Sequence, residues 1–309
     1  MLTVDPDCLI ITPYHKAIGR QRETERSYQR HGSCGMGHGT AIELSLRYPD
    51  DALRVRDIFN GTAYAKLILA EARRNWRAPD VTPREILDCY ELWADLINIA
   101  NPDHLQRLEG DLIFEGAQGV LLDEWYGFHP HTTWSTCTFE NAQTLLDEIG
   151  ETAAKLGVLR AYSTRHGAGP FVSQIQDWWL VLDYEHNHYN DWQGDFRVGY
   201  FDAVASRYAC EVARPDSIAL THLDNAETTS VYVAKYIHRG QTEVELALPE
   251  DVRDLNARTE LTHTLNGCSP SLAAWHSRWT ETIEDLLQVP VSMESWGPRA
   301  EDKLIRIRT

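Results

Sequence analysis

Short apolar runs bounded by turn residues alternate along this chain with segments of helical period, and that alternation restricts the fold more than any other feature. Residues 112–114, 158–162, 180–183 and 218–223 read as buried strands. Thr82-Pro83-Arg84-Glu85 is a capping box with proline at the first helical position. Ile86, Leu87, Tyr90, Trp93, Ala94 and Ile97 follow it as one apolar stripe that Asn101-Pro102 ends. A second helix is expected after Gly61 through Leu67, Ile68 and Ala72, and a third opening at Ser269-Pro270 with Leu272, Trp275, Trp279, Ile283, Leu286 and Leu287 on its face. Residues 230–237 and 243–248 alternate about a turn at Gly240 and read as a hairpin. The expected fold is α/β: a largely parallel central sheet flanked by helices with an appended β-hairpin, whose ligands sit beyond the strand C-termini.

A formal charge of −17 over 309 residues argues against a nucleic-acid backbone as partner, because polyanion binding needs a basic face that releases counterions. A small anion held by local N–H groups and a few arginines remains compatible with it. No apolar run is long enough for a membrane span, and the first residues carry early acids and no basic region, so a cytoplasmic protein with no membrane partner is expected. The six cysteines form no CxxC pair, so neither a zinc site nor a disulfide framework is signalled.

Four segments could carry chemistry. Gly32-Ser33-Cys34-Gly35-Met36-Gly37-His38-Gly39 exposes successive N–H groups that can surround a phosphate, although a surface loop has the same composition and no Lys-Ser or Lys-Thr of a Walker loop follows. Phe114-Glu115-Gly116-Ala117-Gln118-Gly119 is expected where a strand ends, with Gln118 offering an amide donor and acceptor, or else a tight turn. In Tyr162-Ser163-Thr164-Arg165-His166-Gly167-Ala168-Gly169-Pro170-Phe171 the arginine can fork onto a phosphate or carboxylate, or make a structural salt bridge. Leu220-Thr221-His222-Leu223-Asp224 ends a strand with a carboxylate that can accept two N–H groups from one edge of guanine, or cap a helix. His129-Pro130-His131 supplies two nitrogens with no third ligand placed by sequence, so no metal site is assigned.

Taken in order, these motifs resemble the adenylosuccinate synthetase family over essentially the whole chain. HGSCGMGHG is similar to the family's second phosphate loop, which has two threonines where this chain has Ser33 and Cys34. FEGAQGVLLDEWYGFHPHTT resembles the family's FEGAQG block and the YP-x-x-T stretch after it, and RAYSTRHGAGPF, LTHLD and the closing SWGPR turn each have a counterpart in the same order. The resemblance implies a purine-biosynthetic ligase: GTP phosphorylates the purine carbonyl oxygen, and the amine of aspartate displaces that phosphate, with Mg²⁺ and positioned donors stabilising the transferred group. It implies contacts to inosine monophosphate from Ser33, Cys34, Gln118, Thr133 and Arg165, with Arg47 beside an arginine that crosses a homodimer interface. It implies a GTP site at His222, Asp224, Gly297 and Pro298, with His222 where the family has lysine.

Two departures qualify this. The family's opening GDEGKGK loop with the catalytic aspartate, and the histidine-bearing GGHNAGHT stretch, precede the point where this pattern starts. Residues 1–309 are therefore expected as one synthetase-like domain without the family's N-terminal third, forming no product alone and leaving a separately encoded N-terminal segment as a partner. The amine-donor loop, TTGRRRRTGW in the family, falls here on the stretch with Gly194, Asp195 and Arg197; only Arg197 of the arginine cluster is kept, with Asp195 and Phe196 in place of arginines, so aspartate is expected to bind poorly. The competing expectation is a non-catalytic nucleotide-binding or dimerising relative.

Overall fold

A computed structural model describes residues 1–73, 80–176, 189–228, 230–275 and 279–306. They form two compact units, Met1–Phe114 and Glu115–Thr309.

The first unit is mostly helical. β1 (Leu2–Val4) leads to α1 (Pro13–Arg26), whose start is fixed by a capping box: the Thr12 hydroxyl accepts from His15 N at 3.2 Å, and Thr12 N donates to His15 Nδ1 at 3.1 Å. α2 (His38–Arg47), α3 (Val55–Asn60), α4 (Ala63–Ala72) and α5 (Pro83–Ala94) follow. The capping box at Thr82 is present, and Ile86 and Leu87 of its stripe pack with Tyr14, Leu53, Ala63 and Leu67 in one core. The helix stops at Ala94, earlier than the stripe implied. Ile97 belongs instead to β2 (Ile97–Ile99), paired in parallel with β1, Leu2 opposite Ile97. An available strand edge there outweighs the helical period.

The second unit begins with irregular chain. Residues 112–114, at its boundary, form no strand, and Ile113 is 91% exposed: three apolar residues after Gly110, at φ +96°, find no ladder partner among the described residues. The elements then run α6 (Glu140–Ile149), β3 (Leu156–Arg160), β4 (Ser163–His166), β5 (Phe196–Gly199), α7 (Ala203–Ala213), β6 (Ser217–Thr221), β7 (Val231–His238), β8 (Thr242–Val244), α8 (Leu255–Asn266), β9 (Cys268–Ala274), α9 (Trp279–Leu287), β10 (Val291–Ser295) and β11 (Lys303–Ile305). The main sheet has order β11-β10-β6-β3, with β10 and β3 parallel to β6 and only β11 antiparallel. The C-termini of β3, β6 and β10 therefore lie on one edge. Ile218, Leu220, Ile283, Leu287 and Val291 form the core against it, with α7 and α9 contributing. The expected strand at 180–183 lies outside the described residues.

The hairpin is present as β7-β8, in a separate antiparallel sheet of order β8-β7-β9. Its third strand overturns the helix expected from Ser269-Pro270. Cys268 to Ala274 pairs along the length of β7, with Pro270, which lacks an N–H, opposite Tyr236. Only the later part of that apolar stripe is helical, as α9. Trp275, at the end of β9, and Trp279, at the start of α9, stack with ring centroids 3.6 Å apart and planes at 31°.

Candidate functional site

In the first unit, the glycine-rich loop ends at the N-terminus of α2. Gly37 is the N-cap at φ +89°, and a Cβ there would fall 2.7 Å from Lys16 N, so only glycine lets the loop approach the start of α1 this closely. Among the described residues no side-chain cap bond closes the start of α2. The His38 Nε2 there is buried without a partner among the described residues. Two α1 side chains hold the loop from behind: Arg20 Nε donates to Gly35 O at 3.0 Å, and the buried Glu23 accepts Gly32 N at 3.2 Å. Ser33 Oγ accepts Gly35 N at 3.2 Å, Cys34 is exposed, and Arg47 ends α2 at the surface.

In the second unit, Gln118 does not follow a strand. It sits in an irregular exposed turn with φ +62°, its Oε1 4.0 Å from Cys137 Sγ. The organiser of this loop is the fully buried Asp123, whose carboxylate accepts Trp125 N at 2.8 Å, Tyr126 N at 3.0 Å and Cys137 N at 2.6 Å. Thr133 N donates to Leu122 O at 2.8 Å, which brings Thr133 into the same loop. Arg258, also buried, donates to Gly127 O.

That loop meets β4 through Arg165, whose Nη2 donates to His131 O at 3.2 Å and Nε to Ala168 O at 2.9 Å. Arg197 lies opposite Arg165 across the β4–β5 pair. Burial, and then the neighbouring Arg197 charge, pushes the Arg165 pKa down to about 10; burial also lowers Arg197, which the exposed Asp195 offsets in part. Among the described residues neither guanidinium is ion-paired to a carboxylate: their hydrogen bonds go to main-chain carbonyls and the Gln174 amide. Gly194, at φ +90°, closes the turn before β5, its carbonyl 3.2 Å from His166 Nε2.

A second group gathers at the C-terminal edge of the main sheet. His222 follows β6 at φ +60°, its Nδ1 3.0 Å from Thr221 Oγ1 and its ring edge-to-face with Tyr162 at 5.4 Å. Burial, with Arg160 adding to it, lowers its pKa, so the ring is neutral at pH 7. Asp224 is exposed two residues on, with Oδ2 3.4 Å from Asn225 Nδ2. Gly297 and Pro298 follow β10; Lys303 Nζ donates to Gly297 O at 2.6 Å, and a Cβ at Gly297 would strike the Asp302 carboxylate at 2.4 Å.

Sequence reasoning missed Asp123, Glu23 and Arg258. The acidic pair Asp123-Glu124 ahead of Trp125-Tyr126-Gly127 was the only signal for Asp123. Nothing in the helical pattern of α1 marked Glu23.

A largely parallel sheet with glycine turns and polar side chains at its C-terminal edge defines an α/β protein. Its whole length has known relatives. The adenylosuccinate synthetase family model matches residues 1–304, and the chain belongs to that family. It is 31% identical to the adenylosuccinate synthetase of Acidithiobacillus ferrooxidans, over 99% of this chain and 76% of the relative, and 28% identical to that of Nitrosomonas europaea over 98% and 76%. Its fold is that of fully ligated adenylosuccinate synthetase from Plasmodium falciparum, with a TM-score of 0.76 at 16% identity over 99% of this chain and 78% of that one. Cyanophage S-2L succinoaminodeoxyadenylate synthetase, bound to dGMP and dATP, superposes with a TM-score of 0.51 at 14% identity, over 99% and 69%.

Proposed function

We propose that the chain takes part in GTP-dependent ligation of an amine donor to a purine nucleotide, inosine monophosphate as in its family, in the cytoplasm and as a homodimer. The observation that carries this reading is the pair of guanidiniums at the buried Arg165 and the half-buried Arg197. Carbonyl dipoles orient them, and among the described residues no carboxylate is ion-paired to either, so an anionic ligand is favoured beside them. Thr133 and Gln118 stand in the loop that Arg165 grips, and Ser33, Cys34 and the open N-terminus of α2 offer a second set of phosphate donors.

For the energy-donor nucleotide, the neutral ring of His222 offers a stacking face rather than a cation, Asp224 accepts N–H groups from a base edge, and the Gly297-Pro298 turn is held by Lys303 and Asp302. The described residues gather no three His, Cys, Asp or Glu side chains able to hold Mg²⁺, and no step is assigned through it. In the proposed reaction the purine carbonyl oxygen attacks the γ-phosphorus, GDP leaves, and the amine then displaces phosphate from carbon as the C–N bond forms and the C–O bond breaks. For the donor, the exposed Asp195 and buried Phe196 favour a neutral or basic amine over aspartate, whose carboxylates would be desolvated without matched cations at a cost of several kcal/mol. Arg47 and the 70% exposed Leu46 end α2 on a surface open to a second copy.

Calorimetry with inosine monophosphate and GDP, followed by chromatography of reactions containing GTP, Mg²⁺, inosine monophosphate and a panel of amines, tests the proposal. Saturable binding of both nucleotides is expected. Absence of binding to either sinks it, and binding without product from any amine moves the chain to the non-catalytic reading. Tight aspartate binding in the presence of nucleotide would overturn the donor assignment.

A further inference from the structure

The surroundings of Arg197 give it a different task from recognising a donor. It is the only Lys or Arg between residues 189 and 200. Its Nη2 donates to Gly167 O at 2.6 Å and Gly169 O at 2.9 Å, its Nη1 to Gln174 Oε1 at 3.2 Å, and its face lies 5.4 Å from the Phe171 ring centroid. Arg165 Nε takes the carbonyl between, Ala168 O. Three successive carbonyls of the 167–169 turn thus each end on a guanidinium. The turn has little freedom to adopt another shape: Gly167 and Gly169 are at φ +90° and +106°, and a Cβ at Gly169 would fall 2.3 Å from Arg165 Nη2.

We propose that Arg197 is a positioning residue: it fixes the turn that orients Arg165, and the carboxylate of an amine donor is not its ligand. The inference rests on the reading that Arg165 faces the purine nucleotide. A planar fork that spans two carbonyls and a side-chain amide cannot be reproduced by the single ammonium of lysine, so charge alone does not preserve the function.

The test compares wild type with Arg197→Lys, Arg197→Gln and the milder Gln174→Leu. Hydrogen exchange of peptides covering residues 163–171 is the first readout, and calorimetric affinities for inosine monophosphate and, with that nucleotide saturating, for aspartate are the second. Both Arg197 variants are expected to speed exchange in the turn at least tenfold and to weaken nucleotide binding about tenfold, with β3 and β6 peptides unchanged. Gln174→Leu should do the same to a smaller degree, and it decides the matter if the Arg197 variants fail to fold. Unchanged exchange together with a selective loss of aspartate affinity would overturn the inference. If wild type binds no inosine monophosphate, the functional reading fails, while the exchange comparison still decides whether Arg197 holds the turn.

Discussion

The imidazole of His15 occupies the third position of a capping box, where glutamate or glutamine is usual, and that makes the start of α1 sensitive to acid. Its Nδ1 can accept from Thr12 N only when unprotonated, and burial lowers its pKa to about 4, against roughly 6.5 for a free imidazole. Above that free value both folded and unfolded chains carry a neutral ring, and the full stabilisation is present. As pH falls the unfolded chain gains the proton first, so stability is lost between about 6.5 and 4, by roughly 3 kcal/mol in total. Urea midpoints at pH 7 and pH 4.5 should differ clearly in wild type and less in His15→Gln, which keeps the box without titrating. An equal drop in both would assign the acid sensitivity elsewhere. Other single residues were legible to different degrees. Arg165, Gln118 and Asp224 could be singled out because glycines or a strand end flagged their surroundings. Glu23 could not, and Asp123 only faintly, because a carboxylate satisfied by main-chain N–H groups leaves little pattern in sequence.

Among the elements, the β7–β8 hairpin was the most readable, because its turn chemistry is local. Arg239 at φ +51° and Gly240 at φ +73° give a type I′ turn closed by Gln241 N donating to His238 O at 3.1 Å. A Cβ at Gly240 meets nothing within 4 Å, so Gly240→Ala should cost only the left-handed backbone strain, about 1 kcal/mol, measured as a shift in the urea midpoint. A loss several times larger would mean that the turn makes contacts beyond its backbone. β9 was misread for the complementary reason. Leu272 and Trp275 sit at positions that suit a helix as well as a strand, and the decision came from β7, distant in sequence, which offered an unpaired edge. Ile97 went to β2 by the same logic, drawn by β1 from the other end of its unit. The capping boxes at Thr12 and Thr82, by contrast, place helix starts from four neighbouring residues, and the one at Thr82 was legible from sequence alone.

For the molecule as a whole, the net charge of −17 opposes the approach of the anionic nucleotides proposed as ligands, while Arg165 and Arg197 attract them once close. Salt screens the distant surface charges more than these two partly shielded arginines. Stopped-flow association of a fluorescent purine nucleotide should therefore quicken, about two- to fivefold, between 10 and 150 mM salt. Slowing over that range would mean that local attraction already dominates at long distance. The stacked indoles of Trp275 and Trp279 have a use of their own. Two transition dipoles this near, and inclined rather than parallel, couple as an exciton pair. The chain should carry a bisignate circular-dichroism band that vanishes in Trp279→Phe, an optical signature of the place where strand gives way to helix.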